Sequence, residues 1–221
     1  MRLNDAKNRI ENLEGLKFGT FLTGEQLLDI KKNKGKSGQI LETTIGLKLS
    51  NTNTDFEDGE LKTNKCDSAG NPLETMFITQ ISGIIDALLS EENFYESKIY
   101  NKIKNLLYVP IDKESPEPSE WSYLKPIHVN LNDDKFNHIK KQLEKDYYSI
   151  CKQLNKHIKT SQDKFIHTSN GKYLQIRSKD SKPYNPIYSN IYGEKVSNKN
   201  HAFYFKKEFM KDIKLIHNLS I

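Results

Sequence analysis

Asp55, Glu60 and Lys62 fall close together in Thr54-Asp55-Phe56-Glu57-Asp58-Gly59-Glu60-Leu61-Lys62-Thr63. Two carboxylates and an amine at this spacing suit a hard cation and a water, the apparatus of phosphodiester hydrolysis. On a strand over 59–65 the side chains alternate, so Glu60 and Lys62 share one face and Leu61 takes the other. Leu61 then fills a core while its neighbours line a cleft. Asp55, just ahead of the strand, can turn in beside Glu60. These carboxylates, the Leu61 main-chain carbonyl and waters make a magnesium site. Lys62 is placed to orient the attacking water or to steady the charge that develops on phosphorus. Glu42, on a neighbouring helix, reaches the same cluster. The competing reading is an ordinary charged surface stretch, and spacing alone does not separate the two.

The elements that must position these residues can be read from periodicity and breakers. Residues 4–14 carry Ala6, Ile10 and Leu13 at helical spacing behind Asn4 and Asp5 as caps. Thr23 precedes a second short helix, and Ile40, Leu41, Thr44 and Ile45 place Glu42 on a third. Residues 59–65 and 73–81 read as two strands of a hairpin, joined by the turn formers Asp67-Ser68-Ala69-Gly70-Asn71-Pro72. Residues 106–111 suit a buried strand. Trp121 to Val129 reads as another, near an edge because of Pro126. Asn132 or Asp133 caps the strongest helix, 133–158, whose apolar residues recur from Phe136 to Ile158 at steps of three and four. Tyr173 to Arg177 and Ala202 to Lys206 are late strands, and Ser181 to His201 between them reads as a long structureless segment. There is no internal repeat and no clear linker.

Composition excludes several classes. The 221 residues suffice for a real core, and 35% hydrophobic with 29% charged residues is globular rather than disordered. A net charge of +5 allows nucleic acid as a partner without requiring it. Cys66 and Cys151 form no C-x-x-C pair, and the scattered histidines form no zinc motif. No Walker-type glycine loop is present, which argues against nucleotide hydrolysis. No apolar stretch approaches the ~20 residues of a membrane span, so no membrane partner is expected. The run Lys31 to Lys36 is either a phosphate clamp or a solvated lysine loop. Arg177, in a chain whose other arginines are Arg2 and Arg9, offers either a bidentate guanine contact or a strand-exposed salt bridge. Tyr184, Tyr188 and Tyr192 recur every four residues, as a stacking face or a short packed helix.

Asp55-Phe56, Gly59-Glu60-Leu61-Lys62-Thr63 and Asp67-Ser68-x-Gly70-x-Pro72-Leu73-Glu74-Thr75-x-Phe77 together resemble the MutH-like family of endonucleases, with its Sau-type restriction relatives. Lys34-Gly35-x-x-Gly38-x-x-Leu41-Glu42, Lys102-x-Lys104 before Tyr108-Val109-Pro110, Gly171-x-Tyr173 to Arg177-x-Lys179, and Phe203-Tyr204-x-Lys206-Lys207-x-Phe209 follow in family order. The resemblance spans roughly 25 to 215. It implies an α/β (α+β) PD-(D/E)xK nuclease fold: a mixed central sheet flanked by helices, with two lobes around a DNA cleft. A single MutH-like domain over 1–221 is expected, its catalytic lobe about 1–112 and its recognition lobe about 113–221. The carry-over gives Asp55 and Glu60, with Leu61, the metal; Lys62 a catalytic role; and Glu42 and Lys102 supporting catalytic roles. It gives Lys34 a phosphate near the site, Arg177, Lys179 and Lys206 the DNA, and Tyr204 the position that senses adenine methylation. The interval from Asp55 to Glu60 is shorter than the family pattern, so Asp58 is a rival acid; Asp55 is preferred because it precedes Phe56.

The expectation drawn from this is a Mg2+-dependent type II restriction endonuclease that cuts double-stranded DNA at a short site, GATC. The alternatives are a MutH-type repair nickase with a MutL-type activator, and a catalytically silent DNA-binding module. Transient homodimerisation on DNA and a bacterial cytoplasmic, nucleoid-associated setting accompany the reading.

Overall fold

Leu3, Ala6 and Ile10 line one face of the first helix and are all buried, which begins a core that the rest of the first 74 residues extends. The computed structural model describes residues 1–33, 35–47, 54–179 and 182–219. In chain order its elements are α1 (Leu3–Glu11), α2 (Gly24–Lys32), α3 (Lys36–Thr44), β1 (Glu60–Cys66), β2 (Met76–Gln80), α4 (Ile85–Leu89), α5 (Lys98–Ile103), β3 (Asn105–Asp112), β4 (Ser122–Tyr123), β5 (Ile127–Asn130), α6 (Asn137–Thr160), β6 (Ser169–Asn170), β7 (Leu174–Ser178), β8 (Ile187–Ser189), β9 (Glu194–Ser197), β10 (His201–Phe205) and α7 (Lys207–Asn218). This is the expected mixture of helices and mixed sheet. Two compact units divide the chain, each drawn from separate stretches. The first comprises Met1–Glu74, Lys104–Asn130 and Ile213–Ile221, and the second Thr75–Ile103 and Leu131–Asp212.

In the first unit β3 is the centre of a four-stranded mixed sheet, buried from Leu106 to Ile111. β1 runs parallel to it, from Glu60 opposite Leu106 to Cys66 opposite Asp112, while β4 and β5 pair with it antiparallel. Leu61, Leu107, Val109 and Ile111 join the core residues of α1, α2 and α3, so the helices cover that face. Alternation then sends Glu60 and Lys62 to the opposite face, as the sequence predicts. α1 starts one residue earlier than expected and is capped from a distance: the Asp58 carboxylate accepts the Leu3 N–H at 2.8 Å. Asn4 and Asp5 lie inside the helix rather than before it. α2 has the full capping box, Thr23 with Gln26.

The predicted hairpin of residues 59–65 with 73–81 does not form. Its turn is real: Asp67 accepts the Asn71 N–H at 2.7 Å, and Gly70 has φ +77°. Beyond one bridge between Cys66 and Pro72, however, the strands separate into different sheets. β2 pairs with the remote β10, Ala202 opposite Gln80 and Phe205 opposite Met76. Local turn chemistry reverses the chain but does not choose the partner. The strand expected from Trp121 to Val129 is likewise two pieces, broken at Lys125-Pro126, where proline cannot donate to a ladder.

The second unit holds a sheet in the order β2-β10-β7-β6, antiparallel throughout. α6 packs its apolar stripe, Ile139 to Ile158, inside this unit. It runs two residues past the expected 133–158 but begins only at Asn137, after a 3-10 turn at Asp134–Phe136, and Asp133 makes no side-chain cap. Asp146, 2% exposed, accepts the N–H groups of Lys172, Tyr173 and Leu174 at 2.9, 2.5 and 3.0 Å, and so fixes the start of β7. The segment expected to be structureless contains the β8–β9 hairpin. Asp86 pins its turn through Ser189 Oγ (2.6 Å) and the Asn190 N–H (3.0 Å). Tyr184, Tyr188 and Tyr192 therefore share no helix; Tyr192 alone of them packs, donating to Asn155 at 2.7 Å, while Tyr188 is exposed on β8. No helix among the described residues is long and apolar enough to cross a membrane.

Gly59 sits where β1 must press against its neighbours: an added Cβ would lie 2.7 Å from both the Asn105 carbonyl oxygen and Leu3 Cδ1. Gly59→Ala is expected to cost roughly 1–3 kcal/mol, as overpacking does, read as a lower urea midpoint with an unchanged slope. An unaltered midpoint would contradict this packing.

Candidate functional site

The predicted acidic cluster assembles at the outer edge of β1. Glu60 is 2% exposed, and its Oε1 lies 2.6 Å from Lys62 Nζ. A carboxylate this buried needs a compensating charge, and Lys62 supplies it from the same strand face. Asp55 turns in as the sequence suggests: its Oδ2 accepts the Leu61 N–H at 2.9 Å. β1 pairs with β3 on its other side, so this N–H points to the open edge. Within a strand the N–H and C=O of one residue point the same way, so the Leu61 carbonyl also faces the Asp55 side. Asp58 is occupied elsewhere, as the cap of α1.

Glu42, half-buried on α3, belongs to the same electrostatic group. Burial pushes its carboxyl above the usual glutamate range; the Asp55 charge adds to the rise, Lys62 pulls against it, and Glu60 adds again. α3 comes close enough to β1 because Gly38 leaves room, since a Cβ there would meet Thr63 Oγ1 at 3.0 Å. Glu42, Asp55, Glu60 and Lys62 thus gather within the first unit. Lys102 lies at the end of α5 in the second unit, and Lys34 lies outside the described residues.

Arg177, Lys179 and Tyr204 gather around Phe77 in the second unit. The Arg177 guanidinium carbon is 4.4 Å from the centre of the Tyr204 ring, and Nη2 donates to Thr75 Oγ1 at 3.1 Å. Tyr204 meets Phe77 edge-on at 5.7 Å, and Lys179 Nζ lies 4.9 Å from the Phe77 ring centre. The neighbouring Tyr204 and Phe77 rings are thus flanked by the Arg177 and Lys179 cations. Lys206 donates to the Gly171 carbonyl at 3.1 Å and braces the loop that Asp146 holds. Thr75 and Phe77 were not singled out from the sequence. The missed signal was their place in the Leu73-Glu74-Thr75-x-Phe77 motif, which reads as the far arm of a hairpin until β2 is seen beside β10.

Because Glu42 has a raised folded-state pKa, its ionisation opposes folding. Stability linked to it is present below the unfolded pKa and is lost as pH rises through the folded value. Glu42→Gln is therefore expected to raise the melting temperature at neutral pH, with the gain vanishing at pH values below the ordinary glutamate range. A lower melting temperature at neutral pH would contradict the placement.

A model of the DNA mismatch repair enzyme MutH matches residues 47–142, the span that carries Asp55, Glu60, Lys62 and Lys102. The DNA mismatch repair protein MutH of Shigella flexneri is 28% identical over 95% of this chain and 90% of its own length. That of Actinobacillus pleuropneumoniae serotype 5b is 28% identical over 84% of the chain and 80% of its own length. That of Escherichia coli SMS-3-5 is 29% identical over 82% and 76%. With the acid–lysine cluster on the edge of a mixed sheet, these similarities support a relationship of the chain to the MutH-like and Sau-type PD-(D/E)xK nucleases.

Proposed function

We propose that this protein is a divalent-metal-dependent endonuclease that nicks double-stranded DNA in a MutH-type repair role. The observation that carries the reading is the buried Glu60–Lys62 ion pair with the Asp55 carboxylate held on the Leu61 N–H beside it, at the open edge of β1. Such a cluster is hard to reconcile with a silent DNA-binding module, which would have no use for a buried carboxylate–lysine pair. The curated relatives are named as mismatch repair proteins, which favours the repair reading over the type II restriction reading of the sequence.

The donor set fits a hard cation. Among the described residues no three His, Cys, Asp or Glu side chains converge as a ready-made metal cluster. Two carboxylates, Asp55 and Glu60, with the Leu61 carbonyl and waters are the sparse all-oxygen set that magnesium accepts. A bound Mg2+ would supply Lewis-acid polarisation of the scissile phosphate and an acidified water. Lys62 holds Glu60 in place through their ion pair and presents an ammonium to the developing phosphate charge. Glu42, whose proton affinity is raised, is suited to take a proton at its carboxylate during attack. Lys102 is assigned a supporting catalytic role and Lys34 a phosphate contact. Arg177, Lys179, Tyr204 and Lys206 are assigned to the target site, taken as GATC.

The test is cleavage of a supercoiled plasmid bearing GATC, with Mg2+, with and without a MutL-type activator. Nicked circles at unmethylated or hemimethylated sites, stimulated by the activator, are expected. Linear product without a helper would favour restriction, and intact plasmid with any divalent metal would overturn the enzyme reading. Lys62→Ala is expected to slow nicking by on the order of 10²–10⁴ while DNA affinity stays nearly unchanged.

A further inference from the structure

An arginine on an exposed strand normally samples many rotamers, and holding one of them costs conformational entropy. Arg177 is exposed, yet both its height and its direction are set. Its guanidinium reaches from β7 across Tyr204 on β10 to Thr75, beside the start of β2. The small Ala202 stands opposite Arg177 across the ladder. Tyr204, 8% exposed, is steadied in turn by Phe77. A ring face attracts the cation, but the attraction does not select which N–H edge turns outward. The directed hydrogen bond from Nη2 to Thr75 Oγ1 does select it.

We infer that Thr75 is a specificity-determining positioning residue, whose hydroxyl fixes the rotation of the Arg177 guanidinium on the Tyr204 ring so that its remaining N–H edge is presented to one guanine of the target. Arginine reads guanine through two parallel hydrogen bonds, so a rotated fork loses the pair even when the charge stays in place. Thr75 contributes no charge, and its hydroxyl is engaged by Arg177. Its loss therefore acts on which sequence is preferred, through Arg177. The inference rests on the proposed nicking activity and on Arg177 as a reader of bases.

The experiment uses a pool of random-sequence duplexes with Mg2+ and activator, and maps nicks by sequencing. Wild type is compared with Thr75→Val, which keeps the shape and removes the hydroxyl, and Thr75→Ser, which keeps the hydroxyl. Thr75→Val is expected to lose about tenfold in preference at a single base pair, with the preferences at the other positions retained. Thr75→Ser is expected to keep the wild-type profile. An unchanged profile in Thr75→Val overturns the inference, as does an equal loss in both variants or a sharper profile in Thr75→Val. A wild-type profile without base preference would instead remove the reading on which it rests, and the inference with it.

Discussion

Glu60 is a carboxylate 2% exposed on the edge strand of a sheet, and the site depends on what holds its charge there. Lys62, two residues further on, faces the same way because strands alternate, and their charged atoms meet at 2.6 Å. Buried pairs of this kind contribute little net stability, since desolvation offsets most of the attraction. Two apolar residues at these positions would serve the fold as well. In the proposed reading, Glu60 and Lys62 fix a charge pattern in a dry setting where it would act strongly on a phosphate.

The same economy recurs around the pair. Asp55 is fixed by one backbone N–H of the strand that carries Glu60, so acid and strand move together. Asp58 ties the preceding loop to α1, and Gly59 lets that loop lie flat against Asn105 and Leu3. In the second unit two further carboxylates brace the elements near the sheet: Asp146 at the start of β7 and Asp86 at the turn of the β8–β9 hairpin. Acidic side chains here order backbone N–H groups in loops, which leaves strands free to present cations and rings.

Much of this was legible in the sequence, where the signal is local. The Thr23 capping box, the apolar stripe of α6 and the run at β3 each depend on neighbours a few residues away. Glu60 and Lys62 were found for the same reason, since alternation alone places them. What failed was long-range pairing. The turn at Asp67 to Asn71 announces a hairpin, but β2 finds its partner more than a hundred residues later, in β10. The β8–β9 hairpin went unseen because its strands are short and polar, and its order comes from Asp86 on a distant helix. Thr75 gains meaning only once Arg177 is seen to reach it across a strand. Spacing alone did not reveal that Asp58 accepts the Leu3 N–H while Asp55 accepts the Leu61 N–H beside Glu60.

The choice between Asp55 and Asp58 is also where the account is most exposed. Calorimetric titration of Mn2+ into the protein bound to a short duplex, for wild type, Asp55→Asn and Asp58→Asn, tests it most directly. The account predicts that Asp55→Asn abolishes the binding heat while Asp58→Asn retains it. Loss in Asp58→Asn with retention in Asp55→Asn would contradict the site as described.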